Sequence, residues 1–284
     1  TMSKQVMDTD YPGGISNEDI KQQAIARAAT STNFDFPTEI VDLPSKGLLY
    51  PKDNPLSTGK VEMKYMTARE EDILTNPGLI KQGKALDKLF QALIVGNGDG
   101  KPVKYTDLTL GDKNAVMIAA RILGYGPEYE ILVNIPGTNE SFKHVVDLTE
   151  IANTEIDNSL YNNINSFEFT LPIGKQKIQF KILSSVEEIL IAEQLEKQSL
   201  RGHSRGVTTR LKHQILSIDG NTDKTFIDSF IDNQLIARDS LQLRTYITNI
   251  TPDIDLTVNV VNQEYNYNGK ILLPIGIDFF WPGA

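Results

Sequence analysis

Cysteine is absent from this sequence of 284 residues, and histidine occurs only three times. The lack of cysteine excludes disulfide bonds, thiolate metal sites and thiol nucleophiles, and it suits a reducing compartment. The sequence also lacks a run of eighteen apolar residues, and its N-terminus has no apolar signal core. We therefore expect no membrane-spanning segment and no secretion by the usual route.

Positive charge is also scarce. The chain has 28 lysines and arginines against 37 aspartates and glutamates, which gives a formal net charge of −9. Surfaces that bind nucleic acids or anionic membranes need clustered lysine and arginine, so we expect neither kind of partner. Because 40% of the residues are hydrophobic, the chain can form a substantial core, and its partners are expected to be proteins.

One short stretch occurs twice, as MKYMTAREEDIL at residues 63–74 and as FKILSSVEEILI at residues 180–191. A single constant offset aligns four pairs of residues: Lys64 with Lys181, Thr67 with Ser184, Glu70 with Glu187, and Glu71 with Glu188. This match indicates an internal repeat.

Each copy predicts a strand that is followed by an abrupt helix start. An alternating apolar run, which has the period of a half-buried strand, stops at a hydroxyl residue. Thr67 with Glu70, and Ser184 with Glu187, have the spacing of a capping box. In that motif the hydroxyl accepts from a free backbone N–H, and the glutamate side chain reaches back to the cap.

The glutamate pairs allow a second interpretation. Glu70 with Glu71, and Glu187 with Glu188, are candidate catalytic acids and bases or metal ligands. We favour the capping role, because it already explains the first glutamate of each pair and because neither histidine nor cysteine lies nearby in sequence. We expect no catalytic residue, no metal site and no cofactor.

Later phrases also recur between the two halves. Apolar residues at helical spacing over 86–94 and 211–218 predict helices, the first ending at Gly96 or Gly98. Residues 167–182 have the clearest hairpin pattern in the chain. Two aspartates are predicted to be helix N-caps, and two arginines are matched between the halves: Asp112, Asp239, Arg121 and Arg244.

These patterns predict an α+β protein of two similar tandem modules. Each module has a strand or hairpin, then helices, and then a closing β-hairpin. The first module covers residues 34–150 and the second covers residues 167–284, with a linker at 151–166. Residues 1–33 are expected to form a flexible N-terminal arm, in which the pattern from Asn17 onward fits a short amphipathic helix.

Three aromatic residues lie close to the C-terminus: Phe279, Phe280 and Trp281. Such clusters pack either into the core of their own chain or into a pocket of a neighbour, where tryptophan and phenylalanine are strong anchors. The sequence leaves both possibilities open. We name the three residues as candidates for partner binding.

Residues 197–213 form a basic patch in an otherwise acidic chain. Arg201, Arg205 and Arg210 are further candidates for partner binding. A phosphate or nucleic-acid site is an alternative, but no aromatic residues alternate with these charges. We therefore favour a solvated loop or an electrostatic contact with an acidic protein surface.

Two long phrases resemble the baseplate hub subunit family of T-even-type tailed phages, the myovirus base plate proteins. They are FPTEIVDLPSKGLLYPKDNPLSTGKVEMKYMTAREEDILTN at residues 36–76 and LGDKNAVMIAARILGYG at residues 110–126. TRLKHQILSIDGN, ARDSLQLRTYI and the FFWP tail match more loosely. The resemblance implies a structural or assembly protein of the virion, made in the bacterial cytoplasm and placed in or near the central hub of a contractile tail.

Three functions are compared for this chain. The first is a non-enzymatic baseplate component that contacts other tail and baseplate proteins, in several copies within a symmetric assembly. The second is an assembly chaperone that is absent from the mature virion. The third and least favoured is a tail-associated cell-wall hydrolase, which would need a convergent acid pair or a metal site.

Overall fold

The computed structural model describes residues 37–200, residue 202 and residues 205–280. These residues belong to one compact unit that begins at Pro37. The arm expected at residues 1–33 lies outside the described residues. The α-helices of the described part are α1 (Ala68–Leu74), α2 (Pro77–Lys81), α3 (Ala85–Leu93), α4 (Leu110–Tyr125), α5 (Ser185–Ser199), α6 (Gly206–Gln214), α7 (Lys224–Asn233) and α8 (Ala237–Ile250).

Strands in the described residues form four small antiparallel sheets, so the fold is α+β. Two sheets have three strands, in the orders β1-β2-β3 and β6-β7-β8, and the other two are the hairpins β4-β5 and β9-β10. The strands are β1 (Thr38–Asp42), β2 (Lys60–Lys64), β3 (Ile94–Gly96), β4 (Glu128–Asn134), β5 (Ser141–Asp147), β6 (Phe167–Thr170), β7 (Lys177–Phe180), β8 (Ile215–Ile218), β9 (Thr257–Asn262) and β10 (Tyr267–Leu272).

The middle strand of each three-stranded sheet buries alternate side chains, as the sequence pattern predicted. Val61 and Met63 are buried in β2, and Ile178 and Phe180 are buried in β7. The predicted hairpin of the second half is confirmed, since β6 pairs with β7 in antiparallel register.

The third strand of each sheet corrects a prediction. Residues 86–94 and 211–218 were expected to be helical throughout, but α3 ends at Leu93, α6 ends at Gln214, and a strand follows each helix at once. The segments IVG and ILSI are rich in β-branched residues, which favour extended backbone. β3 pairs with β2 and β8 pairs with β7, and this pairing satisfies the backbone groups of the two short strands. Sequence periodicity alone does not reveal a pairing partner.

A single cluster of buried apolar side chains extends through both halves, from Leu43 to Phe280. The closing hairpins touch through Phe142, whose ring stacks on Tyr265 at a centroid distance of 5.4 Å. The second residue of α4 is Gly111, and a Cβ there would lie 2.0 Å from the carbonyl oxygen of Pro252. Glycine therefore permits the close approach between the start of α4 and the chain that follows α8.

Residues 151–166, which the sequence predicted as a linker, bond to both halves. The hydroxyl of Tyr161 donates to the carbonyl oxygen of Ile250. The side chain of Asn163 donates to the carbonyl oxygen of Gly47 at 3.2 Å. None of the described helices combines the length and the apolar character needed to cross a bilayer.

Candidate functional site

The first glutamate pair lies at the start of α1, where the predicted capping box is confirmed. One carboxylate oxygen of Glu70 accepts from the Thr67 N–H at 3.0 Å and from the Thr67 hydroxyl at 2.5 Å. The other oxygen accepts from the Lys64 ammonium at 2.9 Å. Glu70 is buried, so all of its bonds are to groups of its own chain.

The start of α5 repeats this arrangement, and its capping box is also confirmed. Glu187 accepts from the N–H of Ser184 at 3.0 Å and from its hydroxyl at 3.1 Å. Lys181 forms an ion pair with the other oxygen of Glu187. The lysine that precedes each cap by three residues therefore neutralises the capping glutamate in both halves.

The second glutamate of each pair contacts a later helix of its own half. Glu71 accepts a hydrogen bond of 2.8 Å from the hydroxyl of Tyr125 at the end of α4. Glu188 binds both terminal nitrogens of Arg210 on α6, at 2.6 and 2.7 Å. This two-bonded geometry is the strongest form of an arginine–carboxylate contact. Within the described ranges, no group of three or more acidic, histidine or cysteine side chains is arranged to hold a metal ion.

Hydrogen bonding sets the charge of the two capping glutamates. Burial acts to raise the pKa of Glu70, but hydrogen bonds from Thr67 and Lys64 outweigh it and hold the pKa below its usual value. Burial likewise acts to raise the pKa of Glu187, and bonds from Lys181 and Ser184 again lower it. Both groups are therefore ionised at neutral pH and are stabilised in that form.

Replacing both Glu70 and Glu187 with glutamine is expected to lower the free energy of unfolding by about 1–3 kcal/mol at pH 7, since each change removes a charge-assisted hydrogen bond. A carboxyl group with a lowered folded pKa contributes stability above its ordinary pKa of 4.5 and loses it as the pH falls through the folded value. The deficit should therefore shrink in acid.

Urea unfolding between pH 7 and pH 3.5 measures this effect. The matched control is Glu193→Gln on the exposed side of α5, which should change stability little at any pH. A deficit of equal size at both ends of the pH range would contradict the role assigned to the two carboxylates.

Asp112 and Asp239 were predicted to be N-caps, and the structure corrects this. The N-caps are Thr109 for α4 and Ile236 for α8, and each aspartate lies three positions further on. At that position the side chain points back towards the start of the helix. There it meets a turn that follows a Leu-Pro pair, Leu43-Pro44 for Asp112 and Leu171-Pro172 for Asp239, and the carboxylate bonds that turn.

Both aspartates fasten a turn in the same way. Asp112 accepts from the N–H of Ser45 at 3.0 Å and from the hydroxyl of Tyr50 at 2.5 Å. Asp239 accepts from the N–H groups of Ile173 and Gly174, at 3.0 and 2.8 Å. The two carboxylates are 0% and 1% exposed. The Leu-Pro pair before each turn, at residues 43–44 and 171–172, is the signal in the sequence that the two turns are related.

Two of the three aromatic residues near the C-terminus pack into the core of their own chain, which is one of the two possibilities that the sequence left open. Phe279 and Phe280 are 1% and 0% exposed, and Phe279 meets the ring of Tyr129 edge-on at 4.7 Å. Arg121 fixes this segment, because its Nε donates to the carbonyl oxygen of Phe279 at 3.1 Å. Neither phenylalanine has surface left for a neighbour, so both are core residues of their own chain. Trp281 lies outside the described residues.

The basic patch divides into different environments. Arg210 lies on α6 and is held by Glu188, so this arginine already has an acidic partner inside the chain. Arg205 is exposed just before α6, and its backbone N–H donates to Gln198. Arg201 lies outside the described residues. The sequence favoured a solvated loop for this patch, but the part of it from Gly206 onward is helical.

Arg121 and Arg244, which were matched in the sequence, are not equivalent. Arg121 lies nine positions after Asp112, whereas Arg244 lies five positions after Asp239, and both helices are uninterrupted. Arg244 is therefore one turn closer to the start of its helix. Arg121 donates to three backbone carbonyl groups, whereas the Nε of Arg244 is buried and has no partner.

No protein-family model, curated protein or solved structure matches the chain. The choice between the functions considered above therefore depends on the geometry of the residues themselves.

Proposed function

We propose that this chain is a non-enzymatic component of the baseplate of a contractile phage tail. In this proposal it lies in or near the central hub and acts through contacts with other tail and baseplate proteins. The resemblance of residues 36–76 and 110–126 to the baseplate hub subunit family supports this placement. The virion is its location, and assembly takes place in the cytoplasm of the host bacterium.

One observation carries the non-enzymatic part of the proposal: all four repeated glutamates bond groups of their own chain. Glu70 and Glu187 are held by a cap and a lysine, Glu71 by a tyrosine, and Glu188 by an arginine. A general acid or base must instead present its carboxyl group to a substrate. Repetition of these residues is explained by repetition of a helix start.

We infer further that the chain consists of two tandem copies of one module, residues 34–150 and 167–284, joined by residues 151–166. Matching features in the two halves support this. In each sheet a register shift occurs in the middle strand, at Glu62/Met63 and at Gln179/Phe180. A nine-residue helix leads directly into the third strand in both halves, and a buried aspartate follows at the third position of a later helix.

Exposed apolar side chains on the closing hairpins support contact with other proteins. Leu132 and Val145 are exposed diagonal neighbours on the outer face of the β4-β5 hairpin, and Val261 and Leu272 are exposed on the β9-β10 hairpin. With a net charge of −9, such a surface fits protein partners better than nucleic acid or anionic membranes. We propose several copies within a symmetric assembly.

Mass spectrometry of purified tails from the phage that encodes this chain tests the proposal. The expected result is that peptides of the chain occur in intact tails, at a constant ratio to other baseplate proteins. Their presence in assembly intermediates but not in intact tails would favour the chaperone alternative.

A zymogram on bacterial cell wall tests the hydrolase alternative. We expect no clearing by the purified chain. Clearing that is abolished by Glu71→Gln or Glu188→Gln, but retained by the exposed control Glu193→Gln, would overturn the non-enzymatic proposal.

A further inference from the structure

A groove of about 740 Å³ lies beside helix α8 and is called the α8 groove below. It is bordered by α5, α6, α8, the start of α4 and the chain that follows α8. Leu183, Ile247 and Ile254 give it a buried apolar wall. Leu110 and Leu272 also line it and are 42% and 71% exposed. The groove therefore offers apolar contacts to side chains from outside the chain.

Arg244 reaches the α8 groove from the middle of α8 and also borders a second cleft beside α6 and α7. Its Nε–H is buried and has no acceptor. Across the described residues, its guanidinium takes part in no ion pair or side-chain hydrogen bond. Leaving a buried donor unpaired costs free energy, and a guanidinium is shaped to bind a carboxylate through two parallel bonds.

The other charged groups of the groove are mostly satisfied. Arg210 is held at two atoms by Glu188. Asp253 accepts from the side chain of Asn114 at 3.0 Å and from the N–H of Ile254 at 2.8 Å. Arg244 is thus the cation in the groove that an incoming carboxylate can bind without displacing an existing partner.

Charge is distributed unevenly along the groove. Arg244 lies seven residues before Thr251, which is about 10 Å along the helix axis at 1.5 Å per residue. Beyond that point the charged lining residues are all acidic: Asp253, Asp255 and the exposed Glu155. One end of the groove is therefore suited to a carboxylate, and the other end is suited to a basic side chain.

We propose that the α8 groove binds an extended segment of a neighbouring protein subunit, in which a carboxylate contacts Arg244, apolar residues contact the wall, and a basic side chain contacts Asp255. Extended backbone advances about 3.3 Å per residue, so a segment that reaches from Arg244 past the end of α8, about 10 Å away, needs at least three residues. The shortest matching segment has an acidic residue, two apolar residues and then a basic residue. This inference rests on the proposed function, because it names the chemistry of one partner contact.

Binding of short peptides to the full chain tests the inference, measured by calorimetry or by chemical-shift changes. The probe is acetyl-Gly-Glu-Leu-Leu-Lys-Gly-amide. Two control peptides carry glutamine in place of glutamate, or two glycines in place of the leucines. We expect at least tenfold weaker binding for each control. Equal binding of the glutamine peptide, or no binding of the probe at millimolar concentration, overturns the inference.

Two variants of α8 show whether Arg244 itself is responsible. Arg244→Met removes the guanidinium and keeps an apolar stem, so we expect an unchanged or higher melting temperature and at least tenfold weaker binding of the probe. Arg238→Met is the matched control on the exposed side of the same helix and should bind like the wild type. A lower melting temperature for Arg244→Met with unchanged binding would show a structural role and overturn the inference.

The peptide-binding experiment and the analysis of purified tails can fail independently of each other. If the chain is present in intact tails but binds the probe and the control peptides equally, only the peptide-binding role of the α8 groove is wrong. Absence from tails with selective peptide binding removes the baseplate role and leaves the groove as a peptide site.

Discussion

Replacing Asp112 with alanine is expected to lower the free energy of unfolding by about 3–5 kcal/mol, as for other buried charged groups whose partners are left unpaired. The variant leaves the N–H of Ser45 and the hydroxyl of Tyr50 without their acceptor, in a site closed to water. The Tyr50 hydroxyl also accepts from the N–H of Thr109 at 3.1 Å, so loss of the carboxylate disturbs the start of α4 as well.

Asp112→Asn removes the charge but keeps a side-chain oxygen that can accept hydrogen bonds. It should therefore lower the free energy of unfolding by less than Asp112→Ala. Burial raises the pKa of Asp112, although bonds from Tyr50 and Ser45 act to lower it. With a raised folded pKa, the contribution of this group to stability is complete below the ordinary value of 3.8 and declines as the pH rises through the folded value. Asparagine lacks that decline.

Urea unfolding of the wild type and both variants between pH 4 and pH 7 measures these effects. The stability difference between wild type and Asp112→Asn should move in favour of the variant as the pH rises. A constant difference would contradict the raised pKa, and a loss below about 1 kcal/mol for Asp112→Ala would contradict the role of the carboxylate in holding the turn.

Asp239→Ala provides the comparison within the same chain. Its carboxylate is equally buried and holds two backbone N–H groups. If the chain consists of two copies of one module, this variant should also be strongly destabilised, by about 2–4 kcal/mol. A near-neutral Asp239→Ala beside a severe Asp112→Ala would argue against equivalence of the two turns.

The second large effect is expected for Phe280→Ala, which should lower the free energy of unfolding by about 3–5 kcal/mol, as for other fully buried phenylalanines. The ring is completely buried and packs edge-on against Phe279 at 5.8 Å. Alanine would remove apolar contacts and leave a cavity. The cavity would lie next to Phe279, whose carbonyl oxygen accepts a hydrogen bond from Arg121.

Thermal and urea unfolding measure this loss. The matched control is Phe226→Ala, because Phe226 on α7 is 39% exposed. The control should lose about 1 kcal/mol or less. The opposite result, with Phe280→Ala fully stable but absent from assembled tails, would restore Phe280 as a partner anchor and contradict the core assignment.

Part of the fold was predictable from local sequence. Thr67 and Ser184 each stand three residues before a glutamate, and a cap is a contact between near neighbours, so both helix starts were found correctly. The α+β class and the hairpin at residues 167–182 followed from periodicity of two and turn residues. For β3 and β8 periodicity was not enough, because a short apolar run fits a helix or a strand until its pairing partner is known.

The candidate sites were less predictable, because they depend on contacts between distant residues. Asp112 and Ser45 are 67 positions apart, and Arg121 and Phe279 are 158 positions apart. No spacing in the sequence distinguishes a cap from a carboxylate that holds a remote turn. Nor does spacing distinguish a terminal aromatic that anchors a partner from one that fills the core.

By itself, the sequence determined the acidic charge, the absence of thiol chemistry, the repeated helix starts and the mixed α+β character, since these depend on composition and on residues a few positions apart. Only the tertiary structure decided that Glu71 and Glu188 are bonded within the chain, that Phe279 and Phe280 are buried, and that Arg244 lacks a partner. The physical reason is that burial and pairing of a side chain are set by the segments packed against it, and those segments come from far along the chain.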